Sequence, residues 1–353
     1  MKISDIDENF RLVTTLSEEQ IQWHSRFDGP FRIHGACIPY AEAPFCRMDP
    51  AILGQMSDGV RQLAVHTAGI RLRFQTDSSF FTLKAVLTSP DDMSHMPRTG
   101  SSGFDLYCGG GRNPVYQKTF MPGAASDVVV GEFFFAKPGL KDLTLNFPLY
   151  NGVKQLAIGL QPGCVLNGAA PYRNEQPAVF YGSSITQGGC ASRPGNAYQS
   201  ILSRMLDLDI INLGFSGSAK GEPEMARMIA SLDMNLFVMD YDHNAPNAAY
   251  LQKTHEPFFQ ILREAHPDMP VIFISKPDAD PTDEDCVARQ EVILNTYHRA
   301  RQAGDKQVFF IDGERLFGSL MRDSCTVDGC HPNDLGFMRM AEALYPTLEM
   351  LMR

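Results

Sequence analysis

Five residues of this chain, Ser184, Gly217, Asn244, Asp328 and His331, have the types and surroundings that acyl transfer requires. Ser184 ends the run Val179-Phe180-Tyr181-Gly182-Ser183-Ser184, where an apolar stretch gives way to small residues and helix-compatible sequence resumes after Pro194. That is how a buried strand delivers a side chain to the rim of a sheet. A serine hydroxyl is a weak nucleophile until a base takes its proton, and an imidazole with an ordinary pKa of about 6.5 suits that task at neutral pH. His331 is the candidate base. Asp328, three residues earlier, can accept the other ring N–H and fix the tautomer. The backbone N–H groups of Ser184 and Gly217, with the side-chain amide of Asn244, offer three donors to an oxyanion. One ionisation at about pH 6 to 7, that of His331, is expected on the acidic limb of a rate profile.

These residues are far apart in sequence, so a sheet must gather them. Short apolar runs at 178–181, 209–213, 236–240, 271–275 and 308–312 alternate with amphipathic segments near 195–207, 222–232, 250–266, 284–303 and 334–352. Runs such as Leu236-Phe237-Val238-Met239 belong to strands buried on both faces, and right-handed crossovers place helices on both sides. The expectation for 178–353 is an α/β fold, a three-layer α/β/α domain of five parallel strands with functional groups beyond their carboxyl ends. From about residue 63 to 160 the period is two, with Ile70, Leu72 and Phe74 alternating with Arg71, Arg73 and Gln75. About eight half-buried strands without helices, separated by turns such as Pro122-Gly123, predict an antiparallel, jelly-roll-like β-sandwich. That domain is assigned to 1–165, its first sixty residues wrapping around it, and residues 166–177 are the expected linker.

Gly182-Ser183-Ser184-Ile185-Thr186, Gly214-Phe215-Ser216-Gly217, Asn244 and Asp328-Gly329-Cys330-His331-Pro332 resemble, in order and spacing, the four sequence blocks of the SGNH, or GDSL-like, hydrolase superfamily. The resemblance implies that Ser184 is the nucleophile, that Ser184, Gly217 and Asn244 form the oxyanion hole, and that Asp328 and His331 complete a triad. Two positions depart from the family pattern. Ser183 stands where an aspartate is usual, and the block is registered on Gly182 and Thr186 to select Ser184. The third block reads Tyr241-Asp242-His243-Asn244 in place of Gly-x-Asn-Asp, which gives His243 a rival claim on the site.

Upstream, Gly103-Phe104-Asp105-Leu106-Tyr107 resembles the Gly-x-Asp-Leu-Tyr signature of a domain that precedes a subset of these hydrolases. Relatives with a sandwich ahead of the SGNH domain include esterases that remove acetyl groups from carbohydrates. The implied function is a serine esterase acting on short-chain, chiefly acetyl, O-esters, with an acetylated sugar or oligosaccharide as its small-molecule partner. A lipid or thioester acyl hydrolase would need a wide apolar channel beside Ser184, and a non-catalytic sugar-binding protein would need an inert triad. Asp105, Tyr107, His243 and Lys276 are the candidate substrate-binding residues. Plainer readings compete: Asp105 closes a turn, and Lys276, Asp278 and Asp280 lie on a solvated loop after the fourth strand.

The net charge of -10 comes without any basic cluster, which argues against a nucleic-acid partner. No run of about 18 apolar residues is present, so no membrane span is expected. The first ten residues are acidic and lack an apolar core, which points away from a secretory signal and toward a cytoplasmic chain whose eight cysteines are reduced thiols. No cofactor is expected. Neither is a metal: Cys325, Asp328, Cys330 and His331 lack a C-x-x-C type of ligand pair. Gly109-Gly110-Gly111 has no following Lys-Ser/Thr and reads as a turn, and Thr186 occupies the second glycine position of a G-x-S-x-G elbow. The remaining histidines, His66 and His95 among them, read as surface or core residues. A homo-oligomer is compatible with the sequence, which leaves oligomeric state open.

Overall fold

The computed structural model describes residues 15–25, 29–37, 45–89, 92–278 and 282–352. The N-terminal ten residues and Asp280 lie outside them. The period-two segments form two antiparallel sheets. One has the order β1 (Gln22–Ser25), β9 (Val153–Leu160), β4 (Phe80–Leu87), β7 (Val128–Phe134). The other runs β10 (Leu166–Gly168), β3 (Arg71–Thr76), β8 (Lys141–Asn146), β5 (Phe104–Cys108), β6 (Val115–Phe120), with β2 (Arg32–His34) also on β3. Inward residues from both sheets, such as Leu72, Phe74, Phe81, Leu83, Leu143 and Ile158, make one buried apolar cluster. Each large side chain so removed from water contributes about 1.5–3 kcal/mol.

Three expectations change here. The first sixty residues add two edge strands, β1 and β2, because Gln22–Ser25 and Arg32–His34 find unpaired edges. Two short helices, α1 (Asp58–Leu63) and α2 (Arg98–Ser101), also lie within the N-terminal part. The expected linker is mostly paired chain: Leu166–Gly168 adds to β3, and the strand β11 (Asn174–Gly182) starts before residue 178. Its ladder shifts register between Asn174 and Ala178, where Pro177 has no N–H to donate, so the turn-like composition hides the pairing.

The polar side of β3 does not face solvent either. Arg71 and Arg73 are only 3% and 4% exposed. This side packs on the second half of the chain, where Arg71 pairs with Asp209 and donates to the carbonyl of Ile210.

The second half contains the expected parallel sheet, ordered β12 (Leu208–Gly214), β11, β13 (Leu236–Asp240), β14 (Val271–Ile274), β15 (Val308–Ile311). Its helices are α3 (Ser184–Gln187), α4 (Tyr198–Leu206), α5 (Pro223–Ala230), α6 (Ala248–Ala265), α7 (Glu284–Gln302) and α8 (Asp334–Leu351). Val179 and Tyr181 of β11 join an apolar layer with Met239, Phe258 and Phe273, whereas Ala178 and Phe180 join another with Tyr198, Leu202 and Phe337. A strand with both faces buried this way requires helices on both sides. Strand order reverses at β11, so a crevice opens beyond the carboxyl ends of β11 and β13.

Asp105 is buried in β5 and closes no turn. It accepts from Asn146 Nδ2 and from the N–H of Gly195, each at 2.8 Å, and so ties the sandwich to the loop after α3. Asp105→Ala leaves both donors buried without an acceptor, and should cost about 1–3 kcal/mol. A lowered midpoint in urea denaturation checks this; an unmoved midpoint would contradict the anchoring role.

Candidate active site

Gly182 ends β11 because nothing larger fits: a Cβ there would lie 2.1 Å from Thr186 Oγ1 and 2.3 Å from the carbonyl oxygen of Asp240. Ser183, the departure from the family pattern, turns the chain into α3, its Oγ accepting from the N–H of Ile185 at 3.1 Å. That cap holds the Ser183 oxygen against the first turn of α3. Ser184 follows with its Oγ 2.9 Å from His331 Nε2.

Beneath Ser184 lies a buried polar platform. Asp240, at the end of β13, accepts from Thr186 Oγ1 at 2.9 Å and from the Tyr198 hydroxyl at 3.0 Å. Burial, then the neighbouring Asp242, pushes the Asp240 carboxyl up to about 7. Asn212 Nδ2 and Gln199 Nε2 both donate to the carbonyl of Thr186, and Gln187 Oε1 accepts from the N–H of Ser216. Arg47, from the segment read as a wrapping arm, is fully buried and donates to the carbonyls of Asn212 and Gly214.

The loop before α8 presents the base. Asp328 accepts from the His331 N–H at 2.7 Å and the Cys330 N–H at 3.0 Å, and its second oxygen lies 2.7 Å from His331 Nδ1. Burial opposes its ionisation, but the His331 backbone and ring hydrogen bonds bring the carboxyl down to about 2. The loop is docked on the segment after Ser184: Cys190 N–H donates to the carbonyl of Pro332, and Ser192 N–H to Asp334. Asn333 caps α8.

Gly217 has φ +66, a conformation that favours glycine, and open space where a Cβ would stand. Among the described residues, neither its N–H nor that of Ser184 has an acceptor. Asn244 spends one amide hydrogen on the carbonyl of Phe215, 2.9 Å away, which fastens it to the Gly217 turn and leaves the other hydrogen to donate.

The rival and peripheral candidates separate. His243 does not join the Ser184–His331–Asp328 chain; its Nε2 lies 3.0 Å from Cys330 Sγ. Lys276 points its Nζ to Cys286 at 3.9 Å and gives its N–H to Asp242, while Asp278 pairs with Arg322. Tyr107 is buried under the guanidinium of Arg204, 4.4 Å from its ring centroid. Asp105 and Tyr107 thus hold the two halves together.

The sequence reading missed three residues from the N-terminal half. Tyr150 donates to the Ser184 carbonyl at 3.2 Å, His66 lies 3.3 Å from Gln187 Nε2, and exposed His95 has its ring 5.5 Å from that of His331. No local motif marks them. Asp328, His331 and His95 place three ligand atoms within 4.8 Å of one another, a grouping that could hold a metal ion, although His331 and Asp328 are already hydrogen-bonded to each other. Cys325, considered as a ligand from its sequence position, is buried beside Arg339.

Cys330 bears on the titration expected of His331. The imidazole of His243, 3.0 Å from the sulfur, and then that of His331 bring its thiol down to about 6. The resulting thiolate, and next Asp328, push His331 up to about 9 against its burial. A raised pKa favours the imidazolium, so the neutral base becomes available only as pH rises through the raised value. An NMR titration of the His331 ring should give a midpoint above 6.5, with Cys330→Ala lowering it. An unchanged midpoint in that variant would contradict the coupling.

A serine, an imidazole and a carboxylate thus stand in one hydrogen-bonded chain beside backbone donors at a sheet switch point, the arrangement expected of an SGNH ester hydrolase. Comparison with known proteins agrees. The GDSL-like Lipase/Acylhydrolase family profile matches residues 175–349, and one described as the N-terminus of Esterase_SGNH_hydro-type matches 21–166. The chain belongs to this family of ester hydrolases.

Among solved structures it is similar to a Bacteroides ovatus protein named for GDSL-like lipases, with 29% identity and a TM-score of 0.84 over 94% of this chain and 98% of that one. It is also similar to the salicylyl-acyltransferase SsfX3 of a tetracycline biosynthetic pathway (20% identity, TM-score 0.80, 95% and 98% covered). An acetyl xylan esterase, Est2A of the rumen bacterium Butyrivibrio proteoclasticus, shares the fold at 13% identity and a TM-score of 0.59, with 94% and 98% covered. No curated protein matches the sequence. Among the described residues, no helix is long and apolar enough to cross a membrane.

Proposed function

We propose that the protein hydrolyses short-chain O-esters, acetyl groups on a carbohydrate foremost, through an acyl-enzyme on Ser184. The observation that carries this reading is the continuous chain from Ser184 Oγ through His331 to Asp328. Ser184 Oγ attacks the ester carbonyl while its proton passes to His331 Nε2. The N–H groups of Ser184 and Gly217 and the second amide hydrogen of Asn244 meet the oxyanion. His331 then gives its proton to the leaving alkoxide, and the same residues activate water to release the acid. Asp328 stabilises the imidazolium throughout.

The sugar reading rests on the rim. Tyr150 donates to the Ser184 carbonyl, His66 and Ser216 contact Gln187 and His95 lies beside His331, so polar and aromatic groups neighbour the triad, which suit hydroxyl-rich substrates better than long acyl chains. The similarity to an acetyl xylan esterase is consistent with it. A lipid or thioester substrate would call for an apolar channel beside Ser184.

Acetate release from an acetylated oligosaccharide or an activated acetyl ester tests the proposal. Ser184→Ala should lower kcat/KM by at least about a thousandfold with the fold intact by circular dichroism. Asn244→Ala should lower kcat roughly a hundredfold, as loss of one oxyanion donor does. Wild-type rates in Ser184→Ala would refute the mechanism, and faster turnover of long-chain acyl esters would refute the substrate class.

A further inference from the structure

The charge balance at the contact between the two halves is uneven. A small cleft of about 30 Å³ lies between β3 and α4, with Arg71, Arg73, Asn146, Tyr172, Arg204 and Asp207 on its walls. Arg71 is neutralised, since it pairs with Asp209 and donates to the Tyr172 hydroxyl at 2.6 Å. Arg73 is not. It is 4% exposed, lies 3.8 Å over the Tyr172 ring, and has a buried Nη1 without a hydrogen-bond partner and no ion pair among the described residues. Its cross-strand partner on β2 is another arginine, Arg32.

Arg204 lines the cleft from α4 and, among the described residues, donates to the carbonyls of Gly195 and Ser200. The nearby carboxylate, Asp105, is taken by Asn146, Gly195 and Arg193. Asp207, the acid on the cleft wall, forms no ion pair among the described residues. Two guanidinium groups thus line one cleft with no ion pair of their own among the described residues, in a chain whose net charge is -10.

An unpaired buried charge is costly, and a fold retains one readily where an anion completes it. We propose that this cleft binds a small oxyanion, a phosphate or carboxylate group, between Arg73 and Arg204, apart from the Ser184 site. Guanidinium forks match both groups in geometry, and the Tyr172 ring holds the Arg73 plane in place. Such a ligand bridges β3 of the sandwich and α4 of the hydrolase half, so its binding stabilises their contact.

Thermal unfolding and calorimetry of the full chain test this, with inorganic phosphate and glucuronate titrated separately against sodium chloride at matched ionic strength. At least one of the two should raise the melting temperature in a saturable way, and which one does identifies the source of the oxyanion. Arg73→Met should weaken that binding at least about tenfold while melting no lower than wild type without the anion, because it removes an unpaired buried charge. Arg204→Met provides the same test if the first variant does not fold. No saturable shift with either anion beyond the salt control, or wild-type binding in the folded variants, would overturn the proposal.

Discussion

The 2.9 Å hydrogen bond between Ser184 Oγ and His331 Nε2 joins residues 147 positions apart, and the rest of the structure serves to keep those two atoms within reach. Hydrogen bonds weaken steeply with distance and angle, so both backbones must be fixed independently. On the serine side, the bare Gly182 lets α3 sit against β13, the Ser183 cap starts the helix, and buried Asp240 holds Thr186 one turn further on. On the histidine side, a single carboxylate accepts two backbone N–H groups as well as the ring, so Asp328 shapes the loop and orients the imidazole together. The bond from Cys190 N–H to the Pro332 carbonyl then fastens one side to the other.

The N-terminal sheets are part of this constraint. Arg47 reaches beneath the Gly217 turn, Tyr150 donates to the Ser184 carbonyl, and Asp105 grips the Gly195 loop. These contacts are polar and buried, where each lost partner leaves a costly orphan. Arg71, set on the outward side of a strand, is buried in the same way by its pairing with Asp209. The His95 ring, also from the N-terminal half, lies 5.5 Å from that of His331, so the neighbours of the imidazole come from both halves of the chain.

Much of this was legible in the sequence. The continuous apolar runs located all five parallel strands, since a strand buried on both faces leaves an unmistakable composition, and Ser184, Asp328 and His331 meet as their residue types suggested. What stayed hidden depends on tertiary contact. Pro177 masked the start of β11, and period two along β3 could not say that its polar side meets another domain instead of water. Tyr150, His66 and His95 reach the site from loops with no local signature. Cys330 looked like one more reduced thiol, because only the fold brings His243 to 3.0 Å from its sulfur.

Reaction with an organophosphonate, followed by peptide mass mapping, tests the proposed activation of Ser184 most directly. The reagent needs a nucleophilic hydroxyl with a base beside it and no knowledge of the natural ester. One adduct on Ser184, formed much more slowly in His331→Ala, is the predicted result. An adduct on Ser183, or labelling of Ser184 at an unchanged rate without the imidazole, would contradict the account.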